Sequence, residues 1–138
     1  MAKGQMIVAL DFSGIAEDEF HDWFDTEHMP EHERVPGFLS CRRWIGVRNS
    51  KEAVHLFDLD SLAVLESSAY RAISGDNVSI WSKRIRAKCR RLIRFEGEQI
   101  PPGHALAPAE AGGLLVVGMT LPPAVETEFN AWYDTERR

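Results

Sequence analysis

Short apolar runs broken by turn residues organise the first hundred positions. Met6 to Phe12 (MIVALDF) is apolar and of strand length, and Ser13-Gly14 ends it. From Ala16 to about Met29 the rhythm is helical, with Glu17, Asp18 and Glu19 in the first turn, where the helix dipole favours negative charge. Pro30 removes a backbone donor and is expected to kink or end that helix, and Pro36-Gly37 stops any helical continuation beyond it. Phe38 to Val47 alternates as a strand. Leu39, Cys41, Arg43, Ile45 and Val47 fall on one face, and Phe38, Ser40, Arg42 and Trp44 on the other. A turn at Arg48-Asn49-Ser50-Lys51 leads into a third strand, Ala53 to Leu59. Ser61 to Ile73 and Val78 to Lys88 read as helical, and Arg91 to Phe95 as a fourth strand. The order β-α-β-β-α-β predicts an α+β fold, the ferredoxin-like unit with an antiparallel sheet. Helices cover one sheet face in that unit, and the other needs a partner.

Beyond residue 99 the pattern changes. Ile100 to Gly113 is rich in Pro, Gly and Ala, the composition of a linker, and Leu114 to Met119 (LLVVGM) reads as a further strand. A shift of 109 residues lays Gly4–Met29 on Gly113–Arg138 without a gap. Gly4, Val8, Glu17, Glu19, Phe20, Trp23, Asp25, Thr26 and Glu27 are identical in the two stretches. The clearest match is FHDWFDTEH against FNAWYDTER. So long a period points to duplication of a domain. The organisation expected is a complete domain over 1–99, a linker over 100–112, and the first strand and helix of a second, incomplete repeat over 113–138. The chain is expected to be a fragment of a longer protein, or the remnant of one.

Composition narrows the partners. Net charge is -5 over 138 residues, with 44% hydrophobic and 27% charged positions, an ordinary globular balance. The acidity argues against nucleic acid, although Lys83 to Arg94 gathers seven of the sixteen Lys and Arg residues, a stretch read as a solvated helix face running into a strand. No apolar run is long enough for a membrane span, and no signal peptide opens the chain. Cys41 and Cys89 stand apart without CxxC spacing, so neither a zinc site nor a disulfide framework is indicated, and a cytoplasmic location is expected.

Candidate chemistry concentrates on the first helix. Advancing about 100° per residue from Phe20 puts Trp23, Phe24, Glu27 and Glu31 on the core-facing stripe, with His28 at its edge. Carboxylates there must pair, shift their pKa or line a wet pocket. Either Glu27 and Glu31 form structural ion pairs, with Arg34 and an arginine such as Arg42 as partners, or they do chemistry beside His28, whose imidazole titrates near neutrality. His21, Asp25, His28 and His32 make a second stripe, read as solvated and not as a metal site. Neither a metal nor a cofactor is expected. His28, Glu27 and Glu31 are therefore the candidate catalytic residues. Trp23, Arg42, Trp44, His55, Tyr70 and Trp81 are the candidate substrate-binding residues. Arg42 with Trp44 could hold an anionic aromatic ligand or pack an interface. His55, Tyr70 and Trp81 could equally serve as strand and core residues.

The motif Trp23–His32 (WFDTEHMPEH), followed by Arg34–Phe38 (RVPGF) and Arg42-Arg43-Trp44, resembles the dimeric α/β-barrel superfamily, and within it the EthD-like branch of bacterial relatives. The resemblance covers about residues 4–98 and 113–138. It implies two sheets, from two chains or from tandem repeats, packed face to face into a barrel, hence a homodimer, with a small-molecule pocket between sheet and helices in each subunit. The superfamily includes monooxygenases, cyclases, isomerases and peroxidases. The function expected is therefore a pocket protein for a small ligand. Its leading form is a cofactor-free enzyme moving protons on an aromatic or carbonyl-bearing catabolite by isomerisation, dehydration or cyclisation. The alternatives are a cofactor-independent monooxygenase, or a ligand-binding or stress-associated protein without turnover.

Overall fold

A computed structural model describes residues 2–137; Arg138, the last position of the second repeat, lies outside the described residues. Two compact units are present, one reaching to Leu106 and the other beginning at Ala107.

In the first unit four antiparallel strands, β1 (Gly4–Asp11), β2 (Phe38–Ile45), β3 (Glu52–Leu59) and β4 (Arg90–Glu98), form one sheet in the order β2-β3-β1-β4. This is the expected ferredoxin-like arrangement. The helices lie on one face, and strand register decides which side chains meet them. Met6 and Val8 of β1 pair with Phe57 and His55 of β3, so all four share that face. Ile7, Trp44, Leu56, Ile93 and Phe95 belong to the other, and Ile93 and Phe95 are 53% and 52% exposed there. On the helix side Met6, Phe12, Phe20, Trp23, Phe24, Phe57, Leu59 and Ile85 build the core. Gly37 sits at φ 96° where the chain enters β2, and a Cβ there would also collide with the Val64 side chain.

The first helix departs from expectation in an informative way. α1 (Glu17–Trp23) passes into a π-helical segment, Phe24–His28, and then into α2 (Met29–Glu33). Pro30 therefore does not end it. The Met29 N–H reaches back five residues to the Phe24 carbonyl, and Pro30 falls in the first turn of α2, where a missing N–H costs little. The widened turn accommodates roughly one extra residue, so every later position lags by about 100° relative to a regular helix.

Other boundaries shift for local reasons. A bulge between Phe38 and Ser40 turns Phe38 to the helix face, where it packs on Phe57 and Tyr70, contrary to the simple alternation. Ser61–Ile73 is not one helix. A 3₁₀ segment, Leu62–Glu66, stops at Ser67, whose extended backbone lets its Oγ accept from the Tyr70 N–H and cap the single turn of α3 (Ser68–Arg71). α4 (Ile80–Lys88) starts behind its Ser79 cap. After β4 the chain folds back on this unit, with Lys3 Nζ on the His104 carbonyl and Gln99 Nε2 on that of Ala105. The unit boundary thus falls within the Pro- and Ala-rich stretch.

In the second unit the strand expected at Leu114–Met119 is absent. The segment is irregular, with Leu115 and Val117 86% and 70% exposed, because a strand forms only against a ladder partner. α5 (Glu126–Trp132) and a following π segment, Tyr133–Arg137, repeat the α1–π sequence of the first unit 109 positions later. The equivalent threonines agree too: Thr26 Oγ1 donates to the Asp22 carbonyl and Thr135 Oγ1 to that of Ala131. No helix among the described residues is long and apolar enough to cross a membrane.

Candidate functional site

A cavity of about 670 Å³ lies within the first unit, between the helix face of the sheet and the helices. Met6, Val8 and Leu10 of β1 and His55 and Phe57 of β3 form its floor, and Arg91 and Arg94 of β4 one edge. Trp23, His28, Glu31 and His32 line it from the first helix, and Ile85 and Arg86 from α4.

The π segment decides which polar groups arrive here. A regular helix would leave His28 at the stripe's edge and His32 beyond it. The lag of about 100° swings both inward. His32 is buried (4% exposed), so the solvated second stripe is corrected for its latter half, while Asp25 stays outside and accepts from Arg43 Nη1 at 2.8 Å. His28 lies against Trp23, Phe24, His32 and His55, with ring centroids 4.3 to 5.8 Å apart. The His32 Nδ1–H donates to the His28 carbonyl at 2.7 Å, which leaves Nε2 as the acceptor. His28 Nδ1 and His55 Nε2 are buried without a hydrogen-bond partner.

Burial sets the charge of this cluster. It holds His28 well below the ordinary imidazole range, helped by His32 and His55, takes His55 down to about 3, and lowers His32. All three rings are neutral at pH 7, each with one donor and one acceptor nitrogen. Glu31 moves the other way. Burial first, then the Glu27 charge, raises its carboxyl to about 7, against a smaller opposing pull from Arg34. Its Oε1 is 4.0 Å from His28 Nδ1. The site therefore holds a carboxyl that gains and loses its proton near neutrality, beside imidazoles that do not. Cys89 also lines the cavity, but burial pushes its thiol up to about 11, so it is no thiolate nucleophile at pH 7.

Glu27 has a different task. Its Oε2 accepts from the Ser79 and Ser82 hydroxyls at 2.7 and 3.2 Å, and Ser82 Oγ accepts from Trp23 Nε1 at 3.0 Å. The carboxylate thus sits on the N-terminus of α4 and ties it to the first helix. The partners are serines, not the arginines expected from sequence. Glu27→Gln should lower stability by about 1–2 kcal/mol, since it weakens two hydrogen bonds to a charged acceptor. Urea unfolding measures this, and an unchanged midpoint would show that the linkage carries no stability.

Of the candidate ligand contacts, Trp23, His55 and Tyr70 line the cavity. Arg42 and Trp44 are on the opposite sheet face, by their pairing with Leu56 and Val54. Trp81 lies off the cavity and donates from Nε1 to Glu19 at 3.2 Å, joining α4 to α1. Sequence reasoning missed Phe57 and the arginines Arg86, Arg91 and Arg94. Strand parity from Val8 would have found Arg94, but only once the β1–β4 register was known. His28, Glu31 and His32 bring their ligand atoms within 4.8 Å of one another. A tetrahedral ion with bonds of about 2.1 Å holds its donors roughly 3.4 Å apart, so this trio is more open than a formed metal site.

No family model and no curated protein matches the sequence. Solved structures do match in shape. SnoaB from Streptomyces nogalater, described as a cofactor-independent oxygenase, aligns at 15% identity and TM-score 0.57 over 75% of this chain and 100% of its own. HapK from Hahella chejuensis aligns at 13% and 0.54, covering 75% and 99%. A dimeric ferredoxin-like protein from an uncultured marine organism aligns at 11% and 0.52, covering 78% and 95%. The chain carries the ferredoxin-like α+β fold.

Proposed function

We propose that the chain is a cofactor-free enzyme that moves a proton on a small aromatic or carbonyl-bearing substrate held in the cavity of its first unit. One observation carries this reading: Glu31, a carboxyl raised to about 7, lines an aromatic cavity beside three neutral histidines. As carboxylate it takes a proton from a C–H next to a carbonyl, or from a phenol. As acid it returns the proton elsewhere, which completes an isomerisation or cyclisation. The N–H of His32 is held by the His28 carbonyl, so a neutral imidazole N–H of His28 or His55 would stabilise the oxyanion formed between these steps.

The test starts from the small molecule that copurifies, identified by mass spectrometry of denatured protein. Incubated with protein in D₂O, it should gain deuterium or convert to product. A bound molecule that neither exchanges nor changes would make the chain a binding protein without turnover. A second reading, cofactor-independent monooxygenation, draws support from the fold shared with SnoaB. The same deprotonation would make a substrate anion able to react with oxygen, and oxygen consumed in step with substrate would select it.

The working form in this reading is a homodimer joined through the outer sheet face, supported by the exposure of Ile93 and Phe95. Light scattering at micromolar concentration should give twice the chain mass, and Phe95→Glu should shift it to the monomer. A wild-type monomer would remove the dimer.

A further inference from the structure

We infer that the arginine rim of the cavity, Arg86, Arg91 and Arg94, is an anion-binding subsite and that the substrate is an aromatic carboxylate. This deepens the small-molecule reading of the cavity and rests on it. The chain is acidic as a whole, at net charge -5, yet the cavity reverses that balance. Three arginines line it, and Glu31 is the one acidic residue lining it among the described residues. All three arginines are exposed, whereas His32, His55 and Phe57 are buried. The site is therefore polarised, with cations at the open edge beside β4 and neutral rings at the closed end.

The arginines are not all committed elsewhere. Arg86 Nη1 donates to the Gly75 carbonyl at 2.8 Å, which orients it without neutralising it. Arg94 shares its charge with Glu96 at 2.7 Å. Arg91 has no acidic partner among the described residues. A planar anion at this edge would meet guanidinium groups suited to bidentate contact, while its ring extends towards Trp23, Phe57 and Tyr70. A phosphate suits the site less well. The Ser79 and Ser82 hydroxyls at the N-terminus of α4, which a phosphate would use, already donate to the Glu27 carboxylate.

Three probes built on one naphthalene ring separate the cases: 1-naphthoate, 1-naphthamide and 1-naphthyl phosphate, titrated against the full chain at low ionic strength with quenching of tryptophan emission as readout. The acid should bind roughly tenfold or more tightly than the amide, since a charge-assisted contact replaces a neutral one. In Arg91→Ala/Arg94→Gln the two should fall within roughly twofold because the acid loses far more affinity than the amide, with circular dichroism unchanged, and added salt should erode the wild-type preference. Equal binding of acid and amide by the wild type, no binding of the acid, or an acid preference that survives the double variant would each overturn the proposal. Tighter binding of the phosphate than of the acid would overturn the carboxylate assignment. Binding needs no turnover, so selective uptake of the acid by a chain that moves no proton would sink the enzyme reading and leave the subsite standing.

Discussion

Replacing Glu31 by glutamine should lower turnover roughly 10²- to 10⁴-fold, the range that a positioned acid-base group contributes. The shape is nearly unchanged, so substrate affinity should vary far less than the rate. In the wild type the base form of Glu31 accumulates as pH rises through about 7, and kcat/KM for the proton-abstraction step should rise with it. The variant should lose that limb of the profile. The same carboxyl makes an independent prediction about stability. The native state holds its proton more tightly than the unfolded chain, with the pKa raised from 4.5 to about 7. Below pH 4.5 both states are protonated and nothing is lost. Between 4.5 and 7 the native protein loses stability, and above 7 the loss is complete, at most roughly 3 kcal/mol. Glutamine has no charge to bury, so Glu31→Gln should unfold later than wild type at pH 8 and alongside it at pH 4. Equal midpoints at both pH values would mean that the surroundings do not hold the carboxyl neutral.

Phe57→Ala should cost about 3–5 kcal/mol, a large fraction of the roughly 5–15 kcal/mol that holds a domain of this size together. Phe57 is 1% exposed at the centre of the sheet. Its ring meets His28, His32, Phe38 and His55 at centroid distances of 5.0 to 6.4 Å, so truncation empties the floor beneath the imidazole cluster. Phe57→Leu, which keeps most of the volume, should cost much less. Denaturant unfolding of the two variants checks the order. A loss below about 1 kcal/mol for alanine would mean that neighbouring side chains collapse into the gap. The histidines belong to the same packing. A regular helix would leave His28 at the edge of the core stripe, where alanine would touch chemistry alone. Wedged between Trp23, His32 and His55, it contributes to the fold as well, and His28→Ala should lower both turnover and melting temperature.

The apolar run Met6–Phe12, the alternation of Phe38–Val47 and the strand-length segments Ala53–Leu59 and Arg91–Phe95, with turns and helical stretches between them, sufficed for the four-stranded α+β unit. Those patterns are local, and burial on one face of a sheet enforces them. The Trp23–His32 motif pointed to the same fold. The expectations that failed were those that depended on a partner outside the segment. Leu114–Met119 has strand composition but no ladder partner, and it stays irregular. Phe38 changed faces at a bulge that only its pairing with Leu59 reveals. Glu27 found serines across on α4, not the arginines nearby in sequence. The site shows the largest such effect. Helical periodicity found Glu31, but one widened turn, Phe24–His28, moved His28 and His32 into the cavity. Helical periodicity does not reveal a π turn, although this one recurs over the repeated motif, at Phe24–His28 and at Tyr133–Arg137. The titration of the cluster is likewise a tertiary property. Sequence supplies a carboxyl and three imidazoles with ordinary pKa values. Only their shared burial drives the imidazoles down and the carboxyl up, and so decides which of them exchanges protons at neutral pH.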